Sequence, residues 1–126
     1  MELYNLEMLA LLEKQMQLSE QDILDFSPYY DKICAFLEKN HIQFDENFAL
    51  GFYSHMYAFV GRLKIGEMVQ DVDRTLEKEI EPRVMVLTKE LLESVGNEYL
   101  SVVSKDEILL ASIHIQTAIL MQEKGE

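Results

Sequence analysis

Four residues, two histidines and two charged partners, could carry chemistry in this chain. His55 lies in Glu46–Lys64, ENFALGFYSHMYAFVGRLK, a stretch patterned as a helix. At about 100° per residue, Phe48, Gly51, Phe52, Ala58, Phe59 and Arg62 all fall within about 60° of His55. Bulky Phe52 and Phe59 take one flank of the imidazole, small Gly51 and Ala58 the other, and Arg62 follows about two turns along the same line. His114 stands on a second helical stretch and shares its face with Glu107, Leu110, Ala111, Thr117, Ala118 and Met121. It too has small neighbours, as two histidines lining a common cleft would need. A neutral imidazole, with a reference pKa of about 6.5, is a competent nucleophile near pH 7. A phosphoryl group received there brings roughly two negative charges and reorders a helix interface by attracting a cation or repelling a carboxylate. Arg62 offers the attraction, and Glu107 could orient the neutral ring of His114. The same two histidines could equally be packed core residues, and the residue pattern leaves both readings open.

Other chemistries find less support. His-x-x-x-His and Glu-x-x-His pairs are absent around His55 and His114, and Glu107 lies about 10 Å along the helix from His114, too far to share one ion. Neither a metal nor a cofactor is expected. Ser54 adjoins His55 but points about 100° away, so it is no ready nucleophile. Gly61 to Gly66 has no strand before it and lacks the lysine-hydroxyl pair of a phosphate loop. His41, beside Lys39 and Asn40, reads as a solvated loop histidine. Cys34 is the only cysteine, which excludes an internal disulfide and suits a small core residue.

These groups need a scaffold, and the sequence points to helices. The chain has 126 residues, enough for one domain, with 48% hydrophobic and 27% charged residues. Apolar runs such as Met8–Leu12 are too short for a membrane span or a signal peptide, so a cytoplasmic protein is expected. The net charge of −12 comes with no basic patch, which argues against direct nucleic-acid binding. It suits either a partner with a basic or apolar surface or simple solubility.

Strand-period alternation is lacking, and Gly (5) and Pro (2) are scarce, so nearly all of the chain should be helical. A first helix over Leu3–Gln17 has a broad apolar surface, suited to burial within the chain or against a second copy. Ser19 with Asp22 forms a cap. Ser27-Pro28 should restart a helix that reaches Lys39, with Tyr29, Ile33, Phe36 and Leu37 inward. Asn40-His41 turns the chain, Asp45 caps the His55 helix, and Gly66 ends it. Glu67–Ile80 reads as a further helix with Met68, Val72, Leu76 and Ile80 in a stripe. Pro82 opens another, with Val84, Met85, Thr88, Leu91, Leu92 and Val95 apolar-facing and Gly96 as a left-handed cap. Tyr99–Val103 is a link of unassigned state. Ser104 to Glu107 matches a capping box, starting the last helix at Lys105 and carrying it to about Gln122.

Two motifs resemble the PTS regulation domain (PRD), an all-helical module that senses sugar transport through reversible histidine phosphorylation. One is His55-Met-Tyr-Ala-Phe-Val-Gly-Arg62. The other is Glu107-Ile-Leu-Leu-Ala-Ser-Ile-His114-Ile115, followed by Ala118. Their order and separation suit one such module, and the likeness runs from about Pro28 to Met121. The resemblance implies an all-α bundle, here expected as one domain of five or six helices over residues 1–126; the extra helix within 1–18 lies outside the likeness and is a candidate for partner contact. It implies His55 and His114 as phosphorylation sites, with HPr or enzyme IIB as donor and Arg62 and Glu107 as supporting residues. It also implies a homodimer. Family members usually carry two modules joined to an RNA- or DNA-binding domain, and some place an acidic residue where Ser54 stands. This chain has room for no output domain, so a stand-alone regulator acting through a separate output protein is expected. Such a regulator is no enzyme and touches neither nucleic acid nor membrane. The alternatives are a helical phosphocarrier that passes the group on to sugar and a helical adaptor whose histidines only pack.

Overall fold

The computed structural model describes residues 2–67, 74–96 and 104–124. Among them the chain forms five α-helices, one 3-10 helix and no strand: α1 (Glu2–Met16), α2 (Glu20–Lys39), α3 (Glu46–Ile65), a 3-10 helix (Arg74–Glu79), α4 (Pro82–Val95) and α5 (Lys105–Lys124). The all-α expectation holds.

Helix α3 occupies the middle, with α1, α2 and α5 packed on it, while α4 closes the bundle against α2 and α5. This explains why α3 is apolar on more than one side: Ala49, Phe52, Tyr53, Met56, Phe59, Val60 and Leu63 are all buried. A helix surrounded by others needs apolar residues on every covered side rather than one stripe. Met8 and Leu12 of α1 are buried in the same core, and Leu9 and Met16 pack against it, so these members of its apolar surface are used within the chain.

Most helix ends follow the local signals. Ser19 Oγ accepts from Asp22 N at 3.1 Å, and the Asp22 carboxylate accepts from Ser19 N at 3.0 Å, a complete capping box. The Asp45 carboxylate accepts from Phe48 N at 3.0 Å. Gly66, at φ 74°, ends α3 in the left-handed region. Its N–H donates to Leu63 O while Glu67 N donates to Arg62 O at 2.9 Å, a Schellman arrangement that absorbs the terminal carbonyls.

Three local expectations fail. First, Pro28 does not restart a helix: α2 runs unbroken through it. Pro28 cannot donate to Leu24 O, but Pro28 is exposed and Leu24 is 62% exposed, so the lost bond lies on the water side. Phe26, Tyr29, Tyr30, Ile33 and Leu37 meanwhile bury the inner side on both flanks of Pro28. Second, the helix expected over Glu67–Ile80 is, where described, the short 3-10 helix Arg74–Glu79; Met68 and Val72 lie outside the described residues. The left-handed Gly66 separates this segment from α3. Third, Gly96 sits at φ −95°, not in the left-handed region. Glycine is needed there for space, since a Cβ would meet Leu63 Cδ1 at 3.0 Å and Leu92 O at 3.3 Å. The expected link Tyr99–Val103 also lies outside the described residues.

The glycines yield a paired prediction. Leu63 is only 2% exposed and has little freedom to retreat, so Gly96→Ala should destabilise the fold by about 1–2 kcal/mol, as overpacking does. Gly61, exposed in mid-helix with nothing within 4 Å of an added Cβ, should behave oppositely. Gly61→Ala should stabilise by about 0.5–1 kcal/mol by restricting the unfolded chain. Urea unfolding midpoints of the two variants check both signs.

Candidate functional site

Helices α3 and α5 lie side by side with opposite chain direction, because His55 meets His114 while Arg62 meets Glu107. The arginine follows its histidine by seven residues on α3, and the glutamate precedes its histidine by seven on α5. Seven residues is about two turns. Equal spacing in opposite order therefore lets both pairs form in one antiparallel register.

The two imidazole rings are 5.4 Å apart between centroids, tilted by 37°. Phe52 forms one wall, 6.0 Å from the His114 ring. It is itself fixed by stacking on Phe44 at 4.6 Å and by an edge contact with Tyr53 at 5.2 Å. Ala111 and Ala118, on the His114 side of α5, are buried, and small side chains there permit close approach of whatever packs on that face. Gly51, one turn before His55, is exposed with nothing within 4 Å of an added Cβ, which leaves that side of the groove open. The small residues flanking each histidine are thus of two kinds, buried spacers on α5 and an open edge on α3.

Two turns along the groove, Arg62 Nε donates to Glu107 Oε2 and Arg62 Nη2 to Glu107 Oε1, both at 2.7 Å. The Glu107 side chain is fully buried and that of Arg62 is 23% exposed. The sequence suggests Arg62 and Glu107 as separate helpers of the two rings; the structure joins them to each other. Ser104 Oγ accepts from Glu107 N at 3.1 Å, so the serine half of that capping box is present while the glutamate oxygens reach Arg62. The matched spacing was the available signal, and it becomes legible only once α3 and α5 are known to be adjacent.

Burial keeps both rings neutral. His55 is pushed down to about 4, first by loss of solvent, then by the neighbouring His114 and by Arg62, with Glu107 pulling the other way. Burial also lowers His114. At pH 7 each ring therefore carries a free lone pair. The Nε2 atom of His55 is shut off from solvent and has no hydrogen-bond partner among the described residues, although both rings as a whole are only half-buried.

The other candidates are placed elsewhere or turned to structural use. His41 is exposed in the turn after α2 at φ 57°. Ser54 Oγ donates to Leu50 O at 2.8 Å within its own helix. Cys34 lies 3.4 Å from the Tyr53 hydroxyl, and burial pushes its thiol up, away from thiolate reactivity. Among the described residues no cluster of three or more His, Cys, Asp or Glu side chains could hold a metal ion. None of their helices is long and apolar enough to cross a membrane.

Two positioning residues give no signal in the sequence. Gln122 donates to His41 O and accepts from Gln43 N, both at 3.0 Å. Gln116 donates to Glu79 O at 2.7 Å and accepts from Glu81 N at 2.8 Å. Each amide pins a loop, one leading into α3 and one into α4, and so fixes α5 against its neighbours. Both glutamines are half-buried, and a polar residue near the edge of a helical face carries no local sign of such a role.

Comparison with known proteins agrees with this architecture. The PRD domain model matches residues 31–118, within the span from Pro28 to Met121 that the motifs indicate. No curated protein matches the chain. A PRD-containing transcription regulator from Lactobacillus casei, known from its crystal structure, is similar in fold, with a TM-score of 0.69 and 19% identity. The match covers 86% of this chain and 91% of that one. The family model spans most of the chain and includes both histidines, Arg62 and Glu107: the chain belongs to the PRD domain family.

Proposed function

We propose that the protein is a regulatory module of the sugar phosphotransferase system, phosphorylated reversibly on His55 or His114 by HPr or enzyme IIB. The observation that carries this reading is the convergence of two neutral imidazoles 5.4 Å apart across one groove, with an arginine in the same row. A ring nitrogen's lone pair attacks phosphorus, the bond from phosphorus to the donor atom breaks, and the donor leaves with that electron pair.

The modified ring then carries about two negative charges in a poorly hydrated groove. Side chains on a helix lean toward its N-terminus, so Arg62 on α3 leans back toward His55. The phosphoryl group thereby competes with Glu107 for Arg62. Drawing the guanidinium away leaves a fully buried carboxylate with less compensation, which is costly. Relief comes from a shift of α5 relative to α3, and Gln116 and Gln122 pass that shift to the two loops they hold. The module works as a homodimer and without a cofactor, signalling to a separate output protein in the cytoplasm rather than performing catalysis.

The test is to incubate the full chain with phosphorylated HPr or phosphorylated enzyme IIB and record intact masses. Wild type should gain phosphoryl mass, and the gain should disappear when His55→Ala and His114→Ala are combined. No gain from either donor would refute the assignment.

A further inference from the structure

The closeness of the two rings limits how much charge the groove can hold. We propose that His55 and His114 are one acceptor site that holds a single phosphoryl group at a time, on either ring, with the unmodified ring as hydrogen-bond donor to that group. This rests on the phosphoryl-acceptor reading above and adds its stoichiometry.

The ring spacing of 5.4 Å is shorter than the screening distance of about 8 Å in physiological salt, and burial weakens screening further. Two phosphoryl groups would bring about four negative charges into that space. The charges felt at His55 include one cation, Arg62, already matched by the anion Glu107. One phosphoryl group can be compensated by drawing Arg62 toward it and by accepting a hydrogen bond from the second imidazole. A second group would use up that imidazole as well and would find no further cation among these. The exposed edge at Gly51 gives the first group room to enter. The sealed, unpartnered Nε2 of His55 is a polar atom that gains a partner when a phosphoryl group lies between the rings.

Potassium phosphoramidate tests this without any protein donor. The ring lone pair forms the N–P bond, the P–N bond of the reagent breaks, and its protonated nitrogen leaves as ammonia. The exposed His41 must be removed first, and His41→Asn suits its φ of 57°, because Asn tolerates the left-handed region. The full chain carrying His41→Asn should take up one phosphoryl group at saturation, by intact mass under native conditions. Peptide fragmentation should find it on His55 in some molecules and on His114 in others. Adding His55→Asn or His114→Asn should still allow one group each, and adding both should allow none.

Two groups on the His41→Asn protein would overturn the proposal and leave the acceptor reading intact. So would a group confined to one histidine, or a single-site variant that keeps its helical circular dichroism yet accepts nothing. If a single-site variant unfolds, the count and the fragment map of the His41→Asn protein decide alone. No uptake at all would overturn both readings. One group from phosphoramidate with none from HPr or enzyme IIB would keep the shared site and remove the donor assignment.

Discussion

Arg62→Met is expected to destabilise the fold by about 3–5 kcal/mol, the cost of leaving a buried charge without its partner. The carboxylate of Glu107 is fully buried, and both its oxygens accept from one guanidinium at 2.7 Å. Two parallel charge-assisted bonds in a fixed fork are the strongest form of this contact. Removing the cation alone abandons the anion, whereas removing both need not be costly, because an apolar pair of similar volume avoids the desolvation penalty. The double variant Arg62→Met/Glu107→Leu should therefore lose much less than the sum of the two single variants. Urea unfolding of the four proteins gives the coupling directly. A single Arg62→Met variant within about 1 kcal/mol of wild type would show that the pair is solvated enough to be dispensable.

The second large effect is on acid stability. His55 is held down at about 4 against an ordinary 6.5, chiefly by burial. Between those values the unfolded chain binds a proton that the folded chain refuses, so stability rises with pH. This contribution is complete above about pH 6.5 and is lost as pH falls toward 4. At 1.36 kcal/mol per pH unit it amounts to about 3 kcal/mol. His114, lowered by burial as well, adds to the loss in the same direction. Carboxylates also titrate in the acid range, so the informative quantity is a difference. Unfolding free energies of wild type and His55→Gln, compared between pH 7 and pH 4.5, should show a shallower acid loss in the variant. Equal losses would mean that the His55 ring is as free to protonate in the folded protein as in the unfolded one. The same neutrality bears on function, since a ring that resists protonation keeps its lone pair through mildly acidic conditions.

Much of this was legible in the sequence because the signals are local. Ser19 with Asp22, Asp45, Gly66 and Pro82 mark helix ends by hydrogen-bond chemistry that depends on a few neighbouring residues. The two histidines stand out because a wheel places each beside small residues on an otherwise apolar face. The failures share a cause in tertiary context. Pro28 is tolerated because α2 buries its other side, and Gly96 is glycine because Leu63 from another helix occupies the space of a Cβ. The Arg62–Glu107 pair and the glutamine clamps of α5 join residues at least 35 positions apart, beyond any local pattern. Wheel geometry identified which residues lie on a face; only packing determined which of them meet.

The most direct measurement is phosphorus NMR of the full chain incubated with phosphorylated HPr and, separately, with phosphorylated enzyme IIB. Phosphorylation in the groove requires a phosphohistidine resonance in wild type and in His41→Asn that is absent from the His55→Asn/His114→Asn variant. A resonance that survives loss of both groove histidines, or none from either donor in wild type, would contradict it.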